Sequence, residues 1–121
     1  MTRQRGAALL VILMIVGALG AFVALRALNG LMTERDKVTA AALAQAKDAL
    51  IGFAATYRDN PMHSNQVFGY LPCPDTNNDG EYTPADNCGL KDVSVVGRLP
   101  WKTLGLPPLR DGDGECLWYA V

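Results

Sequence analysis

Hydrophobic and polar positions change rhythm three times along this chain. Residues 6–25 read GAALLVILMIVGALGAFVAL without a single charge, and 20 residues of helix span roughly 30 Å, the hydrocarbon thickness of a bilayer. After Arg26 the apolar residues thin to a stripe. Leu43, Ala46, Leu50, Phe53 and Tyr57 recur at steps of three and four, and Lys37, Gln45, Lys47, Asp48 and Arg58 fall mostly off it. That period predicts an amphipathic helix with one face against a domain and the other wet or against neighbours. Asn29-Gly30 predicts either a kink, with Thr33 and Asp36 as a fresh N-cap, or an uninterrupted long helix. Asn60-Pro61 ends it. From Val93 onward short β-prone runs alternate with Gly and Pro. Residues 93–96 and 116–121 are predicted strands, with turns at 106–108 and 111–114, and Trp101 and Trp118 are expected to anchor the strands on the helix. The final run, LWYAV, reads equally as a terminal strand or as the edge of a longer, truncated set of strands.

Composition sharpens this picture. Seventeen of the 19 residues 7–25 are hydrophobic, and without them the chain has an ordinary soluble composition. One membrane-length segment therefore carries one small domain of roughly 95 residues, which excludes a multi-span membrane protein and disfavours a large enzyme. The 11 basic and 12 acidic residues leave no positive excess to hold a nucleic-acid backbone. Arg3 and Arg5 precede the apolar run and Arg26 follows it, so the N-terminus is expected in the cytoplasm and the domain outside. Ala18 and Gly20 offer an ordinary signal-cleavage site instead, but the apolar run continues beyond them through Phe22, Val23 and Leu25.

Candidate chemistry concentrates in LPCPDTNNDGEYTPADNCG, residues 71–89. Asp75, Asn77, Asp79 and Gly80 match the first half of an EF-hand loop, in which alternate oxygens turn inward as hard ligands. Glu81 takes the seventh position and Asp86 the twelfth, so a calcium site would use Asp75, Asn77, Asp79, Glu81 and Asp86. The flanking helices are missing, with Pro72, Pro74 and Pro84 against them, which makes any such site free-standing and weak. The competing reading is an Asn/Asp/Gly turn whose side chains satisfy their own backbone. Cys73 and Cys88 bracket the loop, and in an oxidising compartment a disulfide between them closes it. Their spacing has no second pair and no zinc-ligand pattern. Cys116 is left over, either buried or paired with a cysteine in another chain or in a C-terminal extension. Asp111, Asp113 and Glu115 read either as a hairpin turn or as a second cation site. His63 has no acid or nucleophile beside it, and no triad, phosphate loop or cofactor fingerprint points to an enzyme.

The start RQRG-AALLVILMIV resembles that of type IV prepilin-like proteins, the family of type IV pilins and type II secretion pseudopilins. The resemblance implies a basic leader cut between Gly6 and Ala7 by a prepilin peptidase, methylation of the new N-terminus, and an apolar helix retained in the mature protein. Major pilins usually carry Glu at the fifth mature position, and here that position is Val11. An unpaired buried ammonium is costly, so the departure points to a minor, initiating or tip subunit. The order LPCPDxxxDG, a cysteine, GRLPWKTLGLPPLRDG and LWYAV, after an ALAQAKDALIGFA helix, is similar to a set of such proteins and covers most of the chain.

The expected fold is α+β and pilin-like, a long N-terminal helix packed by a small, loop-rich antiparallel sheet. Residues 1–6 form the leader, 7–28 the membrane half of the helix and 29–121 the extracytoplasmic domain. The implied partners are other pilin or pseudopilin subunits, the inner-membrane assembly machinery, the prepilin peptidase and the lipid bilayer, with no nucleic acid. The other reading is a single-pass, membrane-anchored calcium-dependent binding domain outside any filament.

Overall fold

The computed structural model describes residues 3–85 and 87–121, with side chains from Gly6 onward. Helix α1 covers Arg3–Thr56, and the chain divides into two compact units, one up to Arg35 and the other Asp36–Val121.

The first unit is helix alone, so its apolar side chains have no core to enter. The large ones from Leu9 to Leu25 stand 53–77% exposed. Among the described residues this is the single helix long and apolar enough to cross a membrane, and none of its apolar window is buried. The hydrogen-bonded helix runs through Asn29 and Gly30 without a break. Thr33 does not cap a new helix there: its hydroxyl donates back to the Asn29 carbonyl at 2.9 Å. One glycine disfavours helix by only about 1 kcal/mol, which the surrounding Leu28, Leu31 and Met32 can offset.

In the second unit, α1 presents Ala42 and Ala46, one turn apart and both buried, to Leu99, Leu117 and Tyr119. Leu50, Leu104, Leu106, Leu109 and Val121 pack around this core. The predicted stripe is right at Ala46 and Leu50 and wrong at Leu43, which is 53% exposed. Small side chains let the strands approach the helix axis closely, and Leu43 lies a step further round the helix. Two 3-10 turns, Tyr57–Asp59 and Pro61–His63, end the helical segment. Asn60 caps the second by accepting the Met62 N–H at 3.0 Å, and the returning chain is fixed by the Gly69 N–H donating to the Ala54 carbonyl.

Strands β1 (Val96–Arg98) and β2 (Trp118–Ala120) form a two-stranded antiparallel sheet with Gly97 opposite Tyr119. The α+β layout thus stands, with two corrections. The first strand starts later than residue 93: Val93 closes a turn onto the Leu90 carbonyl and Asp92 takes a left-handed φ of 63°, and the ladder begins where Val95 exchanges hydrogen bonds with Val121. Trp118 is 67% exposed rather than buried between the strands and the helix. Its ring instead carries the Arg98 guanidinium, 4.1 Å from the centroid.

Candidate functional site

The loop that follows Cys73 is organised by one carboxylate. Asp75 is 1% exposed, and a buried polar side chain persists only where it is hydrogen-bonded. Its Oδ1 accepts the Asn78 N–H at 2.6 Å and its Oδ2 the Gly80 N–H at 2.7 Å. Left-handed φ values of 62° at Asn78 and 87° at Gly80 curl the backbone so that both N–H groups converge on it. The Asp75 backbone exchanges two hydrogen bonds with Arg98, at 2.9 and 2.7 Å, which fixes the loop to the outer side of β1.

Of the other predicted ligands, Asn77, Asp79 and Glu81 are exposed and joined by hydrogen bonds within the loop. Asp79 accepts the Glu81 N–H at 2.8 Å and the Asn77 amide at 3.0 Å. These two bonds, the backbone one first, hold the Asp79 carboxyl below its ordinary range, with a smaller contribution from Lys102. The Thr83 hydroxyl accepts the Thr76 N–H at 3.0 Å and reaches Asn77 Oδ1 at 3.4 Å. Asp86 lies outside the described residues. Among the described residues no group of three or more His, Cys, Asp and Glu side chains is placed to hold a metal. The oxygens of Asp75 and one oxygen of Asp79 accept backbone N–H groups of the loop and the other Asp79 oxygen accepts the Asn77 side-chain amide, the bonding pattern of a turn whose side chains satisfy their own loop.

Two further contacts fasten the loop. Cys73 and Cys88 are joined by a disulfide across a Cα–Cα distance of 6.0 Å. At the other end Gly80 lies flat against Trp101, where a Cβ would sit 2.6 Å from the indole Cε2. The Lys102 N–H donates to the Gly80 carbonyl at 2.8 Å and the Tyr82 N–H to the Thr103 hydroxyl at 3.0 Å.

The second acidic segment is a hairpin turn. Asp111 Oδ1 accepts both the Asp113 and the Glu115 N–H at 2.9 Å. The Gly112 N–H donates to the Thr39 hydroxyl on α1 at 2.9 Å. Beside the turn, Arg110 donates to the Gly114 carbonyl at 2.9 Å and to the Cys116 Sγ at 3.4 Å. Cys116 is a free, half-buried thiol. The Tyr119 hydroxyl donates to the Pro72 carbonyl at 3.0 Å, and burial pushes its pKa up to about 12. His63 stacks on Tyr57 with centroids 4.2 Å apart, and its buried Nδ1 makes no hydrogen bond.

Gly6 and Ala7 both lie within α1, exposed. Sequence reasoning missed Thr39, which ties the hairpin turn to α1, Thr103, which ties the loop to the turn at 101–105, Thr83, which bonds within the loop, and Gly97, which lets the loop lie close against β1. Nothing local marks the threonines. Gly97 reads as a strand breaker, yet a Cβ there would meet the Asp75 carbonyl at 2.6 Å. Compared with protein-family models, with curated proteins and with solved structures, the chain finds no match in any of the three.

Proposed function

We propose that this chain is an assembly subunit of the type IV prepilin-like class, a minor pilin or pseudopilin rather than an enzyme. The observation that carries the reading is an exposed apolar helix of membrane length, preceded by a basic leader ending in Gly6, in a chain whose second unit is a small, disulfide-closed α+β body. In this reading the leader is removed on the cytoplasmic side between Gly6 and Ala7. The apolar helix holds the subunit in the inner membrane and then in a filament core, and the outward unit meets other subunits. Val11 at the fifth mature position leaves the subunit without a carboxylate for a neighbour's N-terminal amine, which favours an initiating or tip place.

The test is the intact mass and N-terminal sequence of the membrane-extracted protein, with and without the host prepilin peptidase. A peptidase-dependent start at Ala7, with an added methyl group, is expected. An uncut Met1 replaces the filament subunit with a plain anchored domain, and a start near Ala21 replaces both with a secreted one.

A further inference from the structure

The face of the sheet turned away from the core carries two arginines around one thiol. Leu99, Leu117 and Tyr119 are core residues, so the positions that alternate with them face outward. Arg98 lies opposite Trp118 and Arg110 opposite Cys116, and directly opposed residues share a face. Arg98, Arg110 and Cys116 line a cleft of about 150 Å³ that is walled further by Asp79, Trp101 and Pro108.

Both guanidinium groups are fixed by their own neighbours. Arg98 sits 4.1 Å from the Trp118 ring centroid and donates from Nη1 to the Cys116 carbonyl at 3.1 Å. Arg110 donates from Nη1 to the Gly114 carbonyl at 2.9 Å and to the Cys116 Sγ at 3.4 Å. These bonds use one nitrogen of each group, which leaves Nε and Nη2 of both without an acceptor among the described residues. Asp79 shares the cleft, but its oxygens are taken by the Glu81 N–H and the Asn77 amide. Two held cations with spare donors and no paired carboxylate suit an oxyanion, and little side-chain freedom is left to lose on binding. Pockets for whole small molecules usually reach about 300 Å³ or more, so this cleft fits a phosphate or carboxylate group and not a nucleotide or a sugar chain.

We propose that Arg98 and Arg110 bind a small oxyanion, a phosphate or a carboxylate, in the cleft beside Cys116. The anion accepts hydrogen bonds from the spare nitrogens of both groups and shields the thiol from other reagents. The site is built from residues 78–118 of the second unit and stands or falls apart from leader processing.

The test is a titration of the full chain in detergent micelles with sodium phosphate and, separately, sodium succinate, at fixed pH and with ionic strength held constant by sodium chloride. The Nε–H resonances of Arg98 and Arg110 are expected to shift and saturate at millimolar anion. Alkylation of Cys116 by iodoacetamide, an uncharged reagent, should slow about threefold or more along the same curve. Arg110→Gln, at an exposed position, raises the half-saturating concentration about tenfold, and Arg98→Lys, which keeps the charge but loses the planar fork, raises it as well. Lys91→Gln, at an exposed residue outside the cleft, leaves it unchanged. Slow amide exchange at Gly97 and Tyr119 reports that each variant keeps its sheet. Saturation by phosphate alone assigns the tetrahedral anion, and saturation by succinate alone a carboxylate. Unmoved arginine resonances overturn the proposal, as do shifts matched by chloride or a half-saturating concentration unchanged in both arginine variants. Arginine shifts with no slowing of alkylation place the anion outside the cleft and overturn it too.

Discussion

At the residue scale the protein's stability turns on single atoms placed against backbone. Asp75→Asn keeps size and shape but offers one amine where two N–H groups need acceptors. A donor then faces the Asn78 or Gly80 N–H in a dry site, and a loss of about 1–3 kcal/mol is expected in urea unfolding. Gly80 and Gly89 make a controlled pair, with φ values of 87° and 86°. Alanine is strained by about 1–2 kcal/mol at both, but only at Gly80 does its Cβ also strike Trp101. Gly80→Ala should therefore be the more destabilising, by an amount that shrinks in a Trp101→Ala background. Tyr119 supplies the pH signature. The unfolded phenol ionises at 10.0 and the folded one at about 12. Between those values the folded state keeps a proton that the unfolded state has lost, so stability falls as pH rises from 10 to 12. Tyr119→Phe should flatten that slope in unfolding midpoints, while lowering stability near neutrality through the unpaired Pro72 carbonyl.

At the element scale, the helix and the closed loop were legible in sequence and the sheet was legible only in outline. Hydrophobic period fixes α1 well because twenty uncharged residues and a three-and-four stripe agree over its length. It could not choose Ala42 over Leu43 for burial, since that choice belongs to the distance between helix and strands. Replacing Ala46 by Leu tests this: a larger side chain at the closest approach should cost about 1–3 kcal/mol by overpacking, whereas Leu43→Ala, at an exposed site, should change unfolding little. The first strand escaped sequence reading at its far end because Gly97 is there for the Asp75 carbonyl on its other side, a contact with no local trace. The EF-hand-like spacing is visible in the sequence and open to two readings. Alternate Asp and Asn oxygens serve a cation and a tight turn alike, and the convergence of the Asn78 and Gly80 N–H groups on Asp75 is a property of the folded loop. Calcium is accordingly expected to leave the thermal midpoint unchanged relative to a chelator, as calorimetry would show.

At the scale of the whole molecule, a small body has to hold together with few buried side chains. The core named above centres on two alanines, two leucines and a tyrosine, and the disulfide closes the largest irregular segment beside it. Reduction should lower the unfolding free energy of the second unit by about 3 kcal/mol, from the loop-closure entropy released to the unfolded chain, and should leave the helicity of α1 in detergent nearly unchanged. The double fastening of that loop, by Cys73–Cys88 at its base and by Gly80 against Trp101 at its tip, also bears on resistance to proteolysis. A protease must draw several consecutive residues into an extended form before it can cut. Residues 75–83 are solvent-facing in sequence character, yet they are strapped at both ends and bonded through their own amides, so the loop presents side chains to its surroundings without offering a scissile strand.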